Sequence, residues 1–288
     1  MHFPIIVHAS TVLRIEGFLS NPSHAVLLSG PAGSGKRIIA FALAAELLGI
    51  SFEAIAQHPY ISVIAPEDGK AIPIESVRTL EHFLSRKVPS RQAVNRIVII
   101  DQAELLSHEA QNALLKTLEE PPAGTVLILT APSYRSLLPT IGSRVQAISV
   151  GRPHQESIET YFVTKGYPTS KVAQAFAISG GLPGLMEALL SNADHPLVPA
   201  TEKARAILQS STYERLLLVD ELSKQRPLAI NTLYILEQMA HIRLKSADAT
   251  SSGQWQAILT NCYAARELLN TNAQAKLVLS NLMLQLSK

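Results

Sequence analysis

The chain has 288 residues, of which 47% are hydrophobic and 17% charged, and its formal net charge is +2. This composition excludes a disordered chain, the length favours two or three packed units, and the small net charge confines any nucleic-acid-binding face to a local basic cluster. One cysteine, Cys262, excludes an intramolecular disulfide and a cysteine-based zinc site, and it fits a reducing compartment.

The N-terminal "MHFPIIVHAS" has no basic region and only a short apolar stretch, so it does not read as a secretory leader. "HAVLLSG", His24 to Gly30, is a short apolar run ended by glycine and predicts a buried parallel strand. "KRIIAFALAAELLG" follows as a helix closed by Gly49. The apolar run inside it is interrupted by Glu46 and is too short to span a bilayer, so the chain is expected to be cytoplasmic, with no membrane partner.

Between that strand and helix lies "GPAGSGKR": Gly30, Pro31, Ala32, Gly33, Ser34, Gly35, Lys36 and Arg37. Gly30, Gly35 and Lys36 satisfy the spacing of a phosphate-binding loop. Glycines bare backbone N–H groups to hold phosphate oxygens, the lysine reaches the terminal phosphates, and the helix start adds positive potential. The alternative is a structural glycine turn. Arg37 stands where the loop normally carries a Ser or Thr whose hydroxyl ligates Mg²⁺, and a guanidinium has no lone pair to offer a cation.

"YISVIAP" reads as a strand, and "IESVRTLEHFLSRK" as a helix with Val77, Leu80 and Leu84 on one face. Arg86, Lys87, Arg91 and Arg96 then form a basic group, either a solvated surface or a face for DNA phosphates. "RIVIID" predicts a strand ending in Asp101, placed as a candidate Mg²⁺ ligand; the alternative is a polar residue at a strand end. Gln102 follows where a general base would sit, and an amide positions water without deprotonating it. Glu104, two residues further on, is expected to point elsewhere.

"SHEAQNALLKTLEEPP" is the clearest helix, with Ser107 at its cap, Glu109 in its first turn and Pro121 and Pro122 after it. "TVLILT" is another strand. Strands alternating with helices imply a parallel sheet covered on both faces. Beyond about residue 153 only helical periods remain. "GGLPGL" breaks them at 180 to 185, "SNADHPLVPA" reads as a linker, and "ARAILQSSTYERLLLVDELSK" opens a run of amphipathic helices.

"HAVLLSGPAGSGK", "IESVRTLEHFLSRK", "RIVIIDQAELLSHEAQNALLKTLEEPP" and "LLPTIGSRVQ", in this order and spacing, resemble bacterial DNA polymerase III clamp-loader subunits of the AAA+ class, delta-prime type, relatives of gamma/tau. The resemblance is strong over residues 24–150 and looser beyond; "LNTNAQAKLVLSNLMLQL" resembles the family's last collar helix. It implies an AAA+ P-loop nucleotide-binding-type domain over 1–150, a helical lid over 151–195 and a helical collar over 196–288. It implies a pentamer with gamma/tau-like and delta-like subunits that loads a sliding clamp onto primer-template DNA. It also implies that Arg144, in "SRV", is an arginine finger presented in trans to a neighbour's ATP; a surface or domain-bridging salt bridge is the alternative.

Arg37, Gln102 and the lid position near Pro183 or Gly184, where an active subunit carries a sensor arginine, all depart from the active pattern. The expectation is a stator without catalytic activity of its own, binding ATP and Mg²⁺ weakly or not at all, and no zinc. The alternative is an ATP-hydrolysing gamma-like motor or another AAA+ ATPase.

Overall fold

The computed structural model describes residues 4–67, 70–86, 88, 93–193, 195–246 and 249–286. Contacts divide the chain into two units, Met1–His154 and Gln155–Lys288.

In the first unit the elements run α1 (Ala9–Ser20), β1 (Ala25–Ser29), α2 (Lys36–Leu48), β2 (Ile61–Ile64) and α3 (Ile74–Ser85). They continue β3 (Arg96–Ile100), α4 (His108–Glu119), β4 (Thr125–Ala131), the single turn α5 (Pro139–Gly142) and β5 (Gln146–Ser149). The strands form one parallel sheet in the order β2-β3-β4-β1-β5. Alternation along the strands assigns the two faces. Val26 and Leu28 of β1, with Ile97 and Ile99 of β3, pack toward α1 and α2. Ala25 and Leu27, with Val98 and Ile100, pack toward α3 and α4. Each fully buried leucine or isoleucine contributes about 1.5 to 3 kcal/mol of transfer free energy, so the two-sided burial is the main force holding this sheet.

The α/β class with helices on both faces, followed by an all-helical region, is the class the sequence predicts. Two elements of the first unit are additions to it. α1 buries Thr11, Ile15 and Phe18 along one side, and its cap is His8, whose ring accepts from the Ser10 amide, rather than a Ser or Asp. β5 is an edge strand paired only with β1 and buries Ile148 alone, so it lacks the apolar run that marks the inner strands. The basic group after α3 is not a continuous surface. Arg96 is 5% exposed, donates to the carbonyls of Leu84 and Arg86, and lies over the Phe83 ring. Arg86 is exposed, while Lys87 and Arg91 lie outside the described residues.

Among the described residues the second unit has helices joined by short linkers and no strand: α6 (Gln155–Thr164), α7 (Thr169–Ser179), α8 (Pro183–Ser191) and α9 (Val198–Gln209). There follow α10 (Thr212–Lys224), α11 (Arg226–Ser246), α12 (Ala249–Leu269) and α13 (Ala275–Gln285). One apolar core runs through it, from Leu182 and Leu185 before position 195 to Leu233, Cys262 and Leu282 after it. The expected single helix over 204–224 is two. A capping box restarts the chain at Ser211: its amide donates to Glu214 Oε2 (2.7 Å) and its hydroxyl accepts from the Glu214 amide (3.4 Å). The S-x-x-E spelling of that box is present in the sequence. Inside this core Glu237 forms a two-pronged ion pair with Arg266, and Arg215 donates to the carbonyls of Ile207 and Leu286, tying α10 to the end of α13. Among the described residues no helix is long and apolar enough to cross a membrane.

Candidate functional site

β1 delivers the chain into Gly30–Lys36 at the C-terminal end of the sheet, where α2 begins. Gly33 (φ 79°) and Gly35 (φ 89°) take left-handed backbone that other residues adopt at a cost. A Cβ at Gly35 would also lie 2.8 Å from Ile5 Cδ1, and one at Gly30 would lie 2.7 Å from the Val150 carbonyl oxygen. The loop therefore has the glycine geometry that a phosphate nest requires, with the N-terminal segment packed against it through Ile5.

Lys36 does not stand free over this nest. Its Nζ donates to the carbonyls of Gly30 (2.7 Å) and Pro31 (2.9 Å), closing the loop upon itself. Burial lowers its pKa to about 8, against the opposing pull of Glu104 and Asp101. Ser34 is 2% exposed, and its hydroxyl has no hydrogen-bond partner among the described residues.

Asp101 sits at the end of β3 beside the loop, and both its oxygens are engaged. Oδ1 accepts from the Thr130 hydroxyl (2.6 Å), and Oδ2 lies 3.5 Å from Arg37 Nη1. Thr130 also accepts from the Gln102 amide (2.9 Å), which fixes Gln102 in a left-handed conformation, φ 53°. A Mg²⁺ ion does not fit this set. The residue after Lys36 offers no hydroxyl, and the Arg37 guanidinium lies 3.5 Å from Asp101 Oδ2, beside the carboxylate a cation would need. The glycine backbone of the loop keeps the shape of a phosphate nest at Gly33 and Gly35, with Lys36 Nζ held by the loop's own carbonyls. Among the described residues no group of three or more His, Cys, Asp or Glu is placed to hold a metal.

Two residues enter this site that sequence reasoning does not place there. Thr130 is fully buried, and its only signal is the second of two hydroxyls that bracket the apolar run of β4. Glu104 lies in a short 3₁₀ turn, Ala103–Leu105, near enough to Lys36 and Asp101 for both charges to bear on its carboxyl. Its Oε2 has no hydrogen-bond partner among the described residues, and burial raises its pKa to about 7.

Arg144 lies at the other end of the sheet. β5 pairs Gln146 with Val26 and Ser149 with Ser29. Arg144 therefore precedes β5 on the N-terminal side, while the glycine loop leaves β1 on the C-terminal side. Roughly 10 Å of strand separates the two ends, at about 3.3 Å per residue. Arg144 cannot serve its own loop. Its Nη2 pairs with Glu119 Oε1 (2.8 Å), and Nη1 donates to the Thr140 carbonyl (2.9 Å) and the Ser143 hydroxyl (3.0 Å). An open depression of about 660 Å³ lined by Ser23, Glu119, Arg144 and Gln146 lies beside it.

Gln111 of α4 sets the path of the chain toward Arg144. It is 9% exposed, donates to the Leu106 carbonyl (3.2 Å), and accepts from the Leu138 amide (3.0 Å) just before α5. Replacing it with alanine strands a buried donor and acceptor. Gln111→Ala is expected to lower stability by about 1 to 2 kcal/mol, read as a shifted urea midpoint of the first unit.

Residues 16–154 match the family model described as DNA polymerase III, delta subunit. The DNA polymerase III subunit delta' of Pseudomonas aeruginosa is 33% identical over 178 residues, 56% of this chain and 54% of that protein. The DNA polymerase III subunit delta' of Escherichia coli K12 is 31% identical over 183 residues, 58% and 54% of the two chains. This chain thus matches about half the length of these curated relatives. A DNA polymerase III gamma subunit-related protein of Thermotoga maritima aligns over 96% of this chain and 97% of its own, with 20% identity and a TM-score of 0.49.

Proposed function

We propose that this chain is a delta-prime-type subunit of a bacterial DNA polymerase III clamp loader, acting as a stator that does not hydrolyse ATP. The Arg37–Asp101 contact is the observation that carries this reading. It sets a half-exposed guanidinium beside the carboxylate where a hydrolysing site needs Mg²⁺, while Lys36 is turned onto its own loop. A nucleotide held there would be held by the loop alone, without metal and without turnover.

In this reading Arg144 acts as a finger toward a neighbouring subunit's ATP, supported by its place at the opposite end of the sheet from its own loop. Residues 151–195 form the lid and 196–288 the collar. The position near Pro183 and Gly184 is the buried start of α8 and offers no sensor arginine. The partners are gamma/tau-like and delta-like subunits in a pentamer, and through them the sliding clamp and primer-template DNA. The second unit has surface suited to assembly. α10 leaves Tyr213 and Leu217 exposed (71% and 59%), and the adjacent α13 leaves Leu277 and Leu284 exposed (68% and 62%). Exposed leucines and tyrosines on neighbouring helices favour association with another apolar surface.

Mixing the chain with gamma/tau- and delta-type subunits is expected to give one co-eluting complex, while the chain alone turns over no ATP. Introducing Leu217→Asp with Leu277→Asp should weaken assembly at least about tenfold at unchanged helicity, since both side chains face solvent. ATP turnover by the chain alone that Lys36→Ala abolishes would replace the stator with a motor. One observation favours that second reading: Glu104, close enough to feel the Lys36 charge, keeps an unengaged carboxylate oxygen.

A further inference from the structure

The helical unit has a second cavity that the stator reading does not use. It lies among α7, α9, α11 and α12 and has a volume of about 330 Å³, at the small end for a ligand site. Ile178, Leu208, Met239 and Trp255 line it, and all four belong to or pack against the unit's apolar core. Core packing holds this floor in place, so the cavity does not depend on loop closure. Arg205 and Arg243 complete its lining with two glutamines, and the lining contains no carboxylate. Arg205 is exposed and makes no ion pair among the described residues. Arg243 is exposed and keeps contacts of its own.

We propose that this cavity is a docking site for an acidic peptide segment of a partner protein that inserts one apolar side chain between Arg205 and Trp255. The floor offers dispersion contact and water exclusion to a leucine- or phenylalanine-sized anchor, and the guanidiniums pair with carboxylates flanking it. A buried apolar anchor ringed by charge complementarity is how short segments obtain both affinity and register.

Charge argues for a peptide over a nucleic acid. Residues 155–288 carry 12 Lys and Arg against 11 Asp and Glu, a net of +1. Nucleic-acid affinity comes from many phosphate contacts along a basic track, and two guanidiniums beside an apolar pit do not make one. They suffice for a few carboxylates held close to an anchor.

Trp255 is the only tryptophan in the chain, so its emission reports occupancy without a label. The full-length chain is titrated with the peptide acetyl-Asp-Glu-Asp-Leu-Phe, with acetyl-Lys-Lys-Lys-Leu-Phe, and with a twenty-nucleotide oligodeoxythymidine. Saturable change with the acidic peptide is expected, weakening with salt, together with at least about tenfold weaker response to the other two. Arg205→Glu, a surface change, should weaken the acidic peptide at least tenfold and strengthen the basic one, with unchanged circular dichroism. The exchange of preference is a result that mere loss of structure does not produce. No emission change with the acidic peptide at millimolar concentration overturns the proposal. So does equal binding of the basic peptide, tighter binding of the oligonucleotide, or an Arg205→Glu variant that binds the acidic peptide as before.

Discussion

In the proposed stator role, replacing Arg144 with alanine is expected to lower ATP turnover at the neighbouring subunit's site by about a thousandfold, and clamp loading with it, while the chain folds and assembles as before. The size follows from the chemistry. A guanidinium set against a transferring phosphoryl group neutralises charge that develops in the transition state, and in other nucleotidases such a finger contributes about 10³ to 10⁵ in rate. Folding is spared because the arginine's own ties are at the surface. Its pairing with Glu119 joins side chains 35% and 52% exposed, a class of contact contributing about 0 to 1 kcal/mol. Arg144→Lys tests the assignment further. Lysine keeps the charge but not the planar fork, so it should recover assembly without recovering most of the rate. Glu119→Ala should leave the rate near that of the parent protein, because its link to Arg144 is an exposed ion pair and Arg144 keeps its ties to Thr140 and Ser143. Full activity of the Arg144→Ala complex in a phosphate-release assay would remove the finger and reduce Arg144 to a surface ion pair.

The contrast between the two arginines shows what a sequence discloses and what it withholds. The glycine loop, the three inner strands and the helix over 108–119 were legible because each is dictated locally. Short apolar runs need a two-faced sheet, Gly33 and Gly35 need positive φ, and Ser107 followed by an apolar stripe needs a helix. The identity of Arg37 was equally plain, and with it the absence of a hydroxyl after Lys36. Its contact with Asp101 was not, since 64 residues separate them and only the parallel pairing of the sheet brings β3 beside the loop. Thr130 and Glu104 were hidden for the same reason. Nothing in "TVLILT" says which residue ends level with Asp101, and nothing in "DQAE" says that Gln102 turns left-handed and that Glu104 comes within reach of the Lys36 charge. β5 and α1 were missed because one edge strand and one helix with a histidine cap carry weak local signals. Arg96 shows the opposite error, a basic residue read into a surface group that the fold uses to satisfy two carbonyls.

Glu104→Gln separates stator from motor by stability and activity together. Burial holds the Glu104 carboxyl at a pKa of about 7 in the folded chain, against 4.5 as an ordinary glutamate. Between those values the folded state binds a proton that the unfolded state has released, so stability falls as pH rises from about 4.5 to 7 and the whole cost is present above 7. Each tenfold change in proton affinity corresponds to about 1.4 kcal/mol, and partial solvent access together with the lost attraction for Lys36 reduces the total. The glutamine variant should therefore match the parent protein near pH 5 and exceed it by about 2 kcal/mol at pH 8, measured by urea unfolding of the first unit at the two pH values. A carboxylate kept at that cost is often kept for chemistry, because sites that do work are frequently the least stable parts of a fold. The assembled complex then decides. With Asp101 already engaged by Arg37 and Thr130, removing the Glu104 charge should leave ATP turnover and clamp loading unchanged. A loss of about a hundredfold or more would be the mark of a general base. It would make Glu104 the group that activates water, and the chain a motor that has moved its base two residues along.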